Sequence, residues 1–399
     1  MSESWRTRLV QPALHVPAGF VSLVPPTYRG STTVFSDTKA MTDTWDPTVA
    51  PYSYGFYGTP TTLELAARIA ELEGGNRSLI TPGGQAAVAL VYLAFLCPGD
   101  HVLIPQSVYG PSRDFADAVL TRFGIAVDYY APTAGAEIEG QLADNTRLIW
   151  CESPGSLTMD VQDVSVIAEI AHRRNIVVAL DNTWAAGVFF RPFDHGVDVS
   201  IQALTKYVGG HSDLLLGAIT TNDPGMYRTL GQLQFHLGYG VSPDDCSLAL
   251  RGLQTLAVRL SAIEKSALVI ARWLSGRPEI ERVLHPALPS CPGHEVWQRD
   301  FTGSSGVFSI VLGAIYSEAD VFAFVDRLRL FKIGYSWGGV TSLAIPGRSQ
   351  TARSDWPCGD TLVRLNVGLE STTDLIADLD QALSALPPAG ADIATDASP

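Results

Sequence analysis

Residues 176–213 read IVVALDNTWAAGVFFRPFDHGVDVSIQALTKYVGGHSD. Within this stretch two apolar runs, Ile176–Asp181 and Asp198–Ala203, have the length and the β-branched residues of buried strands. Both runs end in polar segments, and ligands of doubly wound sheets bind outside the carboxyl ends of the strands. The polar residues after these two runs are therefore the first candidates for a functional site.

The same alternation continues on both sides of this stretch, from about residue 62 to residue 221. Apolar residues spaced three and four apart predict helices at Leu63–Leu72, Gln85–Leu96, Ser112–Phe123 and Asp163–Arg173. Short apolar runs predict strands at Arg77–Ile80, His101–Pro105, Ile125–Tyr130, Arg147–Cys151, Ile176–Asp181, Asp198–Ala203 and Gly217–Thr221. Strands buried on both faces that alternate with helices predict an α/β fold with a doubly wound, mostly parallel, seven-stranded sheet.

Three regions flank this predicted large domain of residues 61–250. Residues 1–60 are rich in Pro, Gly, Ser, Thr and aromatic residues and predict an N-terminal arm that contacts a neighbouring subunit. Residues 251–386 predict a smaller C-terminal α+β domain, and residues 387–399 predict a disordered tail. The elements predicted in the smaller domain are the helices Leu253–Leu274 and Thr372–Leu386 and the strands Gly306–Leu312 and Thr361–Val367.

Composition limits the classes of function. The chain has 27 basic and 41 acidic residues, and a net charge of −14 disfavours nucleic acids and anionic membranes as partners. No apolar stretch reaches the roughly 18 residues of a membrane span, and no apolar signal core is present, so we predict a cytoplasmic protein. The five scattered cysteines indicate neither a disulfide framework nor a metal site. Small molecules are the predicted partners.

Lys206 is one of only four lysines in the chain, and it lies where a predicted buried strand gives way to a Gly-rich turn. An ammonium group is costly to bury unless it is paired or consumed as an imine. Lysines whose pKa is lowered by burial become nucleophiles, and pyridoxal phosphate is an aldehyde that they commonly bind. Lys206 is therefore a candidate for a Schiff base, and a structural ion pair with Asp213 is the alternative.

Three further features near Lys206 fit the same cofactor. Asp181 ends a predicted strand, where a carboxylate can pair with a pyridinium nitrogen, although Asp is also a favoured helix N-cap. The segment Thr81–Ala87 follows a strand and opens a helix, and backbone N–H groups at such a start bind phosphate. Such Gly-containing turns are common and weak evidence alone. Thr205 could add a hydroxyl donor.

Two tyrosines and an arginine complete the candidate residues. Tyr109 follows a strand and could stack on a flat heterocycle, or be an ordinary core or interface tyrosine. Tyr54 could reach a phosphate from the arm of a partner subunit, or simply pack in its tyrosine-rich loop. Arg364 interrupts an apolar strand of the smaller domain, where a guanidinium could bind the α-carboxylate of an amino acid or form an ion pair with Glu370.

With these residues assembled, the chain resembles the Cys/Met-metabolism family of pyridoxal-phosphate enzymes, which have the aspartate-aminotransferase-like fold (fold type I). The resemblance extends from about Pro25 to about Leu386. Its most specific segments are Thr205–Asp213, Asp181–Thr183, Tyr54–Gly55, Gly58–Thr61, Ser242–Asp245 and Leu250–Leu253.

Within that family the chain is most similar to bacterial cystathionine β-lyases. In Gly334–Gly339, Trp337 stands where γ-lyases and synthases usually have a smaller aliphatic residue, and Asp181–Gly187 also resembles the β-lyases. The resemblance implies a carbon–sulfur lyase that converts cystathionine to homocysteine, pyruvate and ammonia. A γ-lyase, a γ-replacement enzyme or a specialised biosynthetic enzyme is the alternative. A non-catalytic homologue that binds a ligand through the same fold is an alternative of another class.

The resemblance also implies a role for each residue, and it implies a homotetramer built as a dimer of dimers. Lys206 and Tyr109 are the implied catalytic residues. The implied cofactor-binding residues are Lys206, Asp181, Tyr109, Gly84, Gln85, Thr205, Thr183 and a neighbouring subunit's Tyr54. The implied substrate-binding residues are Arg364, Ser336, Trp337 and Tyr54.

Three positions depart from the family pattern. Phe56 stands where an arginine usually contributes a cationic phosphate contact, and Ala203 stands where many members have a serine. Thr341 stands where a glutamate is common. We expect these changes to affect cofactor affinity and the mouth of the substrate site, while the carbanion chemistry remains available.

Overall fold

The computed structural model describes residues 4–10, 19, 23–42, 44–50, 52–347 and 361–387. Its larger sheet has seven strands in the order β1-β7-β6-β5-β4-β2-β3, and β7 alone runs antiparallel to its neighbours. The strands are β1 (Arg77–Thr81), β2 (His101–Pro105), β3 (Ala126–Tyr130), β4 (Thr146–Glu152), β5 (Val177–Asp181), β6 (Val199–Gln202) and β7 (Gly217–Thr221). The predicted sheet is confirmed.

Helices cover both faces of this sheet. Leu103 packs in the core that contains α2 and α5, whereas its neighbours Val102 and Ile104 pack in the core that contains α3 and α6. This alternation follows from the two-residue period of a strand. The helices before the smaller sheet are α1 (Trp5–Val10), α2 (Pro60–Glu73), α3 (Gly84–Phe95), α4 (Gly110–Phe115), α5 (Val164–His172), α6 (Pro224–Leu237) and α7 (Pro243–Leu274).

Two of these helices differ from the predicted ones. Helix α4 continues as a π-turn and then a 3-10 turn to Phe123, so the predicted helix over residues 112–123 is not one regular α-helix. Helix α7 begins ten residues earlier than Leu253, because Ser242 caps it through the N–H of Asp244 at 3.2 Å and Pro243 occupies its first turn.

The second sheet has five strands in the order β10-β11-β12-β9-β8. The predicted boundary between residues 250 and 251 lies inside α7, and the division into domains stays a prediction. Residues 388–399 of the predicted disordered tail lie outside the described residues. The remaining elements are β8 (Ile280–Leu284), α8 (His294–Asp300), β9 (Val307–Leu312), α9 (Glu318–Arg327), β10 (Lys332–Ile333), β11 (Leu343–Gly347), β12 (Leu362–Asn366) and α10 (Thr372–Leu383).

The carboxyl ends of β4, β5 and β6 lie side by side. Glu152 is the register partner of Asp181, and Asp181 is the register partner of Ile201. Register partners on parallel strands direct their side chains to the same face, so Glu152 and Asp181 share a face at this edge. Among the described helices, none is both long and apolar enough to cross a bilayer.

Candidate active site

Lys206 lies in the turn that follows β6. Its N–H donates to Ala203 at 3.0 Å, and its carbonyl accepts from Gly210 at 2.8 Å. Its Nζ lies 2.7 Å from Ser336 Oγ and 5.3 Å from the centre of the Trp337 ring. Within the described residues Lys206 forms no ion pair, so the alternative of a structural ion pair with Asp213 is not observed.

The surroundings of Lys206 favour its neutral amine. Burial, together with the positive charge of Arg364, lowers the pKa of Lys206 to about 8, and the negative charge of Asp181 opposes this shift. A lysine with this pKa is partly deprotonated near neutral pH and can act as a nucleophile or a proton acceptor.

Asp181 is half-buried at the end of β5 beside Thr183. Its Oδ1 accepts from the Thr183 N–H at 3.0 Å and from the Thr183 hydroxyl at 2.5 Å. The Thr183 Oγ1 in turn accepts from the Ala203 N–H at 2.9 Å, which joins the ends of β5 and β6. Burial raises the pKa of Asp181, while Thr183 and Lys206 counteract this effect. The chain after Asp181 forms turns and no helix, so Asp181 is not a helix N-cap.

The start of α3 approaches the same edge. A Cβ on Gly84 would lie 2.8 Å from the Ala203 Cβ, so only glycine allows this approach. The first N–H groups of a helix have no acceptor within the helix, and those of Gly84 and Gln85 can bind an anion. The Thr205 hydroxyl instead donates to and accepts from the Leu216 backbone at 3.1 Å.

Tyr109 begins α4, and 43% of its surface is exposed. Burial and the negative charges of Asp181 and Glu152 raise the pKa of Tyr109, and Arg364 counteracts them. Its backbone N–H donates to Glu152 Oε2 at 2.7 Å. Glu152 is missing from the candidates found by sequence, although its position at the end of a predicted strand was a usable signal.

The smaller sheet contributes Arg364 from β12. Its Nη2 donates to the Ser336 carbonyl at 3.0 Å, and burial lowers the pKa of Arg364 to about 10, so it stays charged at neutral pH. Ser336 has a left-handed backbone with φ of 73°. Glu370 accepts instead from the N–H and hydroxyl of Ser342, both at 2.8 Å, so Arg364 is free of the alternative ion pair.

Tyr54 is not part of this cluster within the described chain. It is 45% exposed, pairs with Thr32 and lies 5.9 Å from the Tyr57 ring. Phe56 packs against Phe235, with ring centres 6.0 Å apart, and does not face the other candidates. A role for Tyr54 at the site requires a neighbouring subunit and stays a prediction.

These residues fit pyridoxal phosphate. The site combines an amine of lowered pKa, a half-buried carboxylate that has no cation in salt-bridge contact among the described residues, and a glycine at a helix start. The amine can form an imine with the cofactor aldehyde, the carboxylate can pair with the pyridinium nitrogen, and the helix start can bind the phosphate. The fold and the site therefore define a class, the pyridoxal-phosphate enzymes with the aspartate-aminotransferase-like fold.

Comparison with known proteins specifies the family. The family described as Cys/Met metabolism PLP-dependent enzyme matches residues 6–384, and the chain belongs to this family. The cystathionine β-lyase MetC of Escherichia coli is 44% identical over 336 residues, which cover 82% of this chain and 84% of that protein. An L-alanine/L-glutamate racemase of Wolbachia pipientis is 39% identical over 379 residues, which cover 92% of this chain and 93% of that protein.

Solved structures support the same assignment. The crystal structure of a cystathionine γ-synthase from Xanthomonas oryzae pv. oryzae in complex with cystathionine has a TM-score of 0.89 and 31% identity, and the match covers 96% of this chain and 98% of that chain. The predicted family, fold and cofactor are confirmed. The protein is a pyridoxal-phosphate-dependent enzyme of cysteine and methionine metabolism, and not a non-catalytic homologue.

Proposed function

We propose that the protein is a lyase that cleaves the carbon–sulfur bond of cystathionine by α,β-elimination. Cystathionine and one water would give homocysteine, pyruvate and ammonia. The observation that carries this proposal is Trp337, whose ring lies 5.3 Å from Lys206 Nζ at the position where the resemblance to β-lyases is most specific. The similarity to cystathionine β-lyase MetC supports it.

In this proposal Arg364 holds the α-carboxylate of the substrate. A guanidinium can donate two parallel hydrogen bonds to a carboxylate, and the Ser336 carbonyl orients Arg364 from the other side at 3.0 Å. This places the substrate Cα near Lys206, because Ser336 Oγ also contacts Lys206 Nζ. Trp337 limits the space beside that carbon.

Bound pyridoxal phosphate supplies an electron sink that stabilises negative charge at the substrate Cα. Asp181 would hold a negative charge near the ring nitrogen and so favour its protonated form. Lys206, as a neutral amine, accepts the proton from Cα, and the departing sulfur leaves from Cβ. Tyr109 lies near enough to Asp181 and Arg364 for their charges to shift its pKa, and it is a second candidate for proton transfer.

The γ-lyase and γ-replacement alternatives require a second deprotonation at Cβ, and Lys206 and Tyr109 are suitable groups for it. The racemase among the relatives requires only removal and return of the Cα proton. A steady-state assay with cystathionine separates these reactions. We expect pyruvate and homocysteine in equal amounts, whereas 2-oxobutyrate would indicate γ-elimination. Inversion of alanine or glutamate without pyruvate from cystathionine would indicate a racemase.

We further propose that the active form is a homotetramer built from dimers, in which the arm of one subunit brings Tyr54 to the phosphate of its neighbour. Tyr54 is exposed, and its ring packs against Tyr57 and not against the other candidate residues of the described chain. Both observations support this assembly. Sedimentation of active enzyme as a monomer would contradict it. A cytoplasmic location stays a prediction.

A further inference from the structure

Glu152 carries a second buried carboxyl group at the candidate site. Its Oε2 accepts from the Tyr109 N–H at 2.7 Å, and its Oε1 accepts from the N–H and the hydroxyl of Ser156 at 3.0 and 2.6 Å. No lysine or arginine of the described residues forms an ion pair with it. One carboxyl group therefore joins two loops, the loop before α4 and the loop after β4.

These two loops also contact each other directly. The Ser156 N–H donates to the Ser107 carbonyl at 2.8 Å. A Cβ on Gly155 would clash with the Ser107 side chain, so the loops approach as closely as glycine allows. The Glu152 carboxyl group lies at this junction. It accepts a hydrogen bond from the backbone N–H of Tyr109, two residues after Ser107.

The backbone of Tyr109 is held from two sides. Its carbonyl accepts from the Ser112 and Arg113 N–H groups at 2.9 and 3.1 Å, which fixes it to α4. Its N–H is fixed to the sheet by Glu152. Because the ring of Tyr109 is partly exposed at the site, a shift of this backbone would move the ring relative to Lys206.

We propose that Glu152 is a positioning residue for cofactor binding, which acts by fixing the backbone of Tyr109 to the end of β4. The hydrogen bond between Glu152 and Tyr109 sets the place at which the tyrosine ring meets the flat ring of pyridoxal phosphate. The inference rests on the proposed pyridoxal-phosphate-dependent function and on the expectation from the sequence that Tyr109 stacks on that ring.

A different route of action is available and must be separated from this one. Glu152 and Asp181 are register partners, and burial together with the charge of Asp181 raises the pKa of Glu152 to about 8. Glu152 could therefore act on the cofactor through the charge of Asp181, independently of Tyr109. The two routes differ in whether the effects of Glu152 and Tyr109 are additive.

The test is a double-mutant cycle on cofactor binding. The dissociation constant for pyridoxal phosphate is measured by fluorescence titration of apoprotein for the native protein, Glu152→Met, Tyr109→Ala and the double variant. Methionine keeps the volume and removes the acceptor. We expect Glu152→Met to weaken binding about tenfold, the cost of leaving the Tyr109 N–H without its hydrogen-bond acceptor. The double variant should bind within about twofold of Tyr109→Ala alone.

Two further variants make the test independent of folding defects. Glu152→Gln keeps an acceptor for the Tyr109 N–H, and we expect near-native affinity and native circular dichroism of the bound cofactor. Glu73→Gln changes a carboxyl group that is equally buried but does not contact Tyr109, and it should leave the affinity unchanged. The circular dichroism of the bound cofactor should change in Glu152→Met, because the ring of Tyr109 moves.

Each other outcome overturns the inference. Additive losses in the double variant would show that Glu152 acts separately from Tyr109. A tenfold loss in Glu152→Gln, which preserves the bond to Tyr109, would show that charge and not position matters. Native affinity in Glu152→Met would remove any role. Unchanged affinity in Tyr109→Ala would overturn the stacking proposal itself, and the inference with it.

Discussion

Glu73 and Glu152 are two buried carboxyl groups on opposite faces of the same sheet. Glu73, at the end of α2, accepts from the Ser200 hydroxyl at 2.6 Å and from the amides of Asn182 and Gln202. Burial raises the pKa of Glu73 to about 7 and that of Glu152 to about 8. By burial and pKa alone the two groups cannot be told apart.

Their neighbours distinguish them. The donors to Glu73 are buried strand and turn residues, and none of them faces the candidate site. The charge of Asp181 raises the pKa of both glutamates, but Asp181 is the register partner of Glu152 and is electrostatically coupled to Lys206, and Lys206 to Arg364. A shifted pKa therefore indicates a functional site only where neighbouring groups still have charge or hydrogen-bonding capacity that a ligand can use.

The largest effect that tests this comparison is expected for Lys206→Ala. This variant removes both the imine-forming amine and the acceptor of the Cα proton, so we expect turnover to fall by at least about 10⁴-fold. Pyruvate release from cystathionine measures it. Borohydride reduction of the native holoenzyme followed by peptide mass mapping should label Lys206. Labelling of Lys39, Lys265 or Lys332 would contradict the assignment.

Arg364→Ala should have the next largest effect. Loss of charge-assisted hydrogen bonds to the substrate carboxylate should raise KM for cystathionine by about 100-fold. Arg364→Lys keeps the charge without the paired donors and should recover only part of this loss. A Arg364→Ala variant with native KM and reduced kcat would place the substrate carboxylate elsewhere.

Replacing Glu73, on the opposite face of the sheet from Glu152, should change the stability of the protein and not its catalytic activity. The pKa of Glu73 is raised in the fold from 4.5 to about 7, so its stabilising contribution is complete below about pH 4.5 and is lost as the pH rises through 7. In Glu73→Gln the amide can donate to Ser200 while its oxygen accepts from Asn182 and Gln202. We expect the variant to exceed the native protein in stability by about 3 kcal/mol at pH 8.5.

Urea unfolding of the apoprotein at pH 5.5 and pH 8.5 measures this difference. At pH 5.5 Glu73 is protonated in the native fold but ionised in the unfolded chain, so the advantage of the variant should be about 1.4 kcal/mol, less than half of its value at pH 8.5. Turnover of cystathionine by the Glu73→Gln holoenzyme should stay near the native value. An equal difference between the two proteins at both pH values would show that Glu73 does not titrate in this range.

The sequence allowed the positions of Asp181 and Lys206 to be predicted, because Asp181 ends one strand and Lys206 lies in the turn after the next, and the apolar residues of each strand specify it. The role of Glu152 could not be predicted in this way. It depends on strand register with Asp181 and on a hydrogen bond to a backbone N–H of Tyr109, which side-chain identity does not reveal. The hydrogen bond from the Thr205 hydroxyl to the Leu216 carbonyl likewise depends on the geometry of a loop and could not be predicted.

Buried charge is also an unreliable guide to function in sequence. Arg259 is almost fully buried, yet it donates to the carbonyls of Tyr207 and Gly252 at 2.8 Å and so supports the turn that carries Lys206. Arg364 differs from Arg259 because it is only half-buried and donates to the Ser336 carbonyl beside Lys206. Neither environment can be read from the apolar residues that surround each arginine in the chain.

The smallest effect we predict concerns the electrostatic link between the two sheets. Imine formation requires neutral Lys206, whose pKa is about 8. The rate of pyridoxal phosphate capture by apoprotein should therefore rise up to tenfold per pH unit below pH 8 and level off above it. The positive charge of Arg364 disfavours the Lys206 ammonium, so Arg364→Met should move the midpoint of this profile upward by less than about one pH unit.

Stopped-flow absorbance of imine formation measures both profiles, and Arg364→Lys, which retains the charge, is the matched control with a native midpoint. Since burial is the larger cause of the lowered pKa, the midpoint in Arg364→Met should remain well below the ordinary lysine value of 10.5. A midpoint that moves downward in Arg364→Met would mean that Arg364 stabilises the ammonium indirectly, and the coupling between the smaller sheet and Lys206 would have the opposite sign.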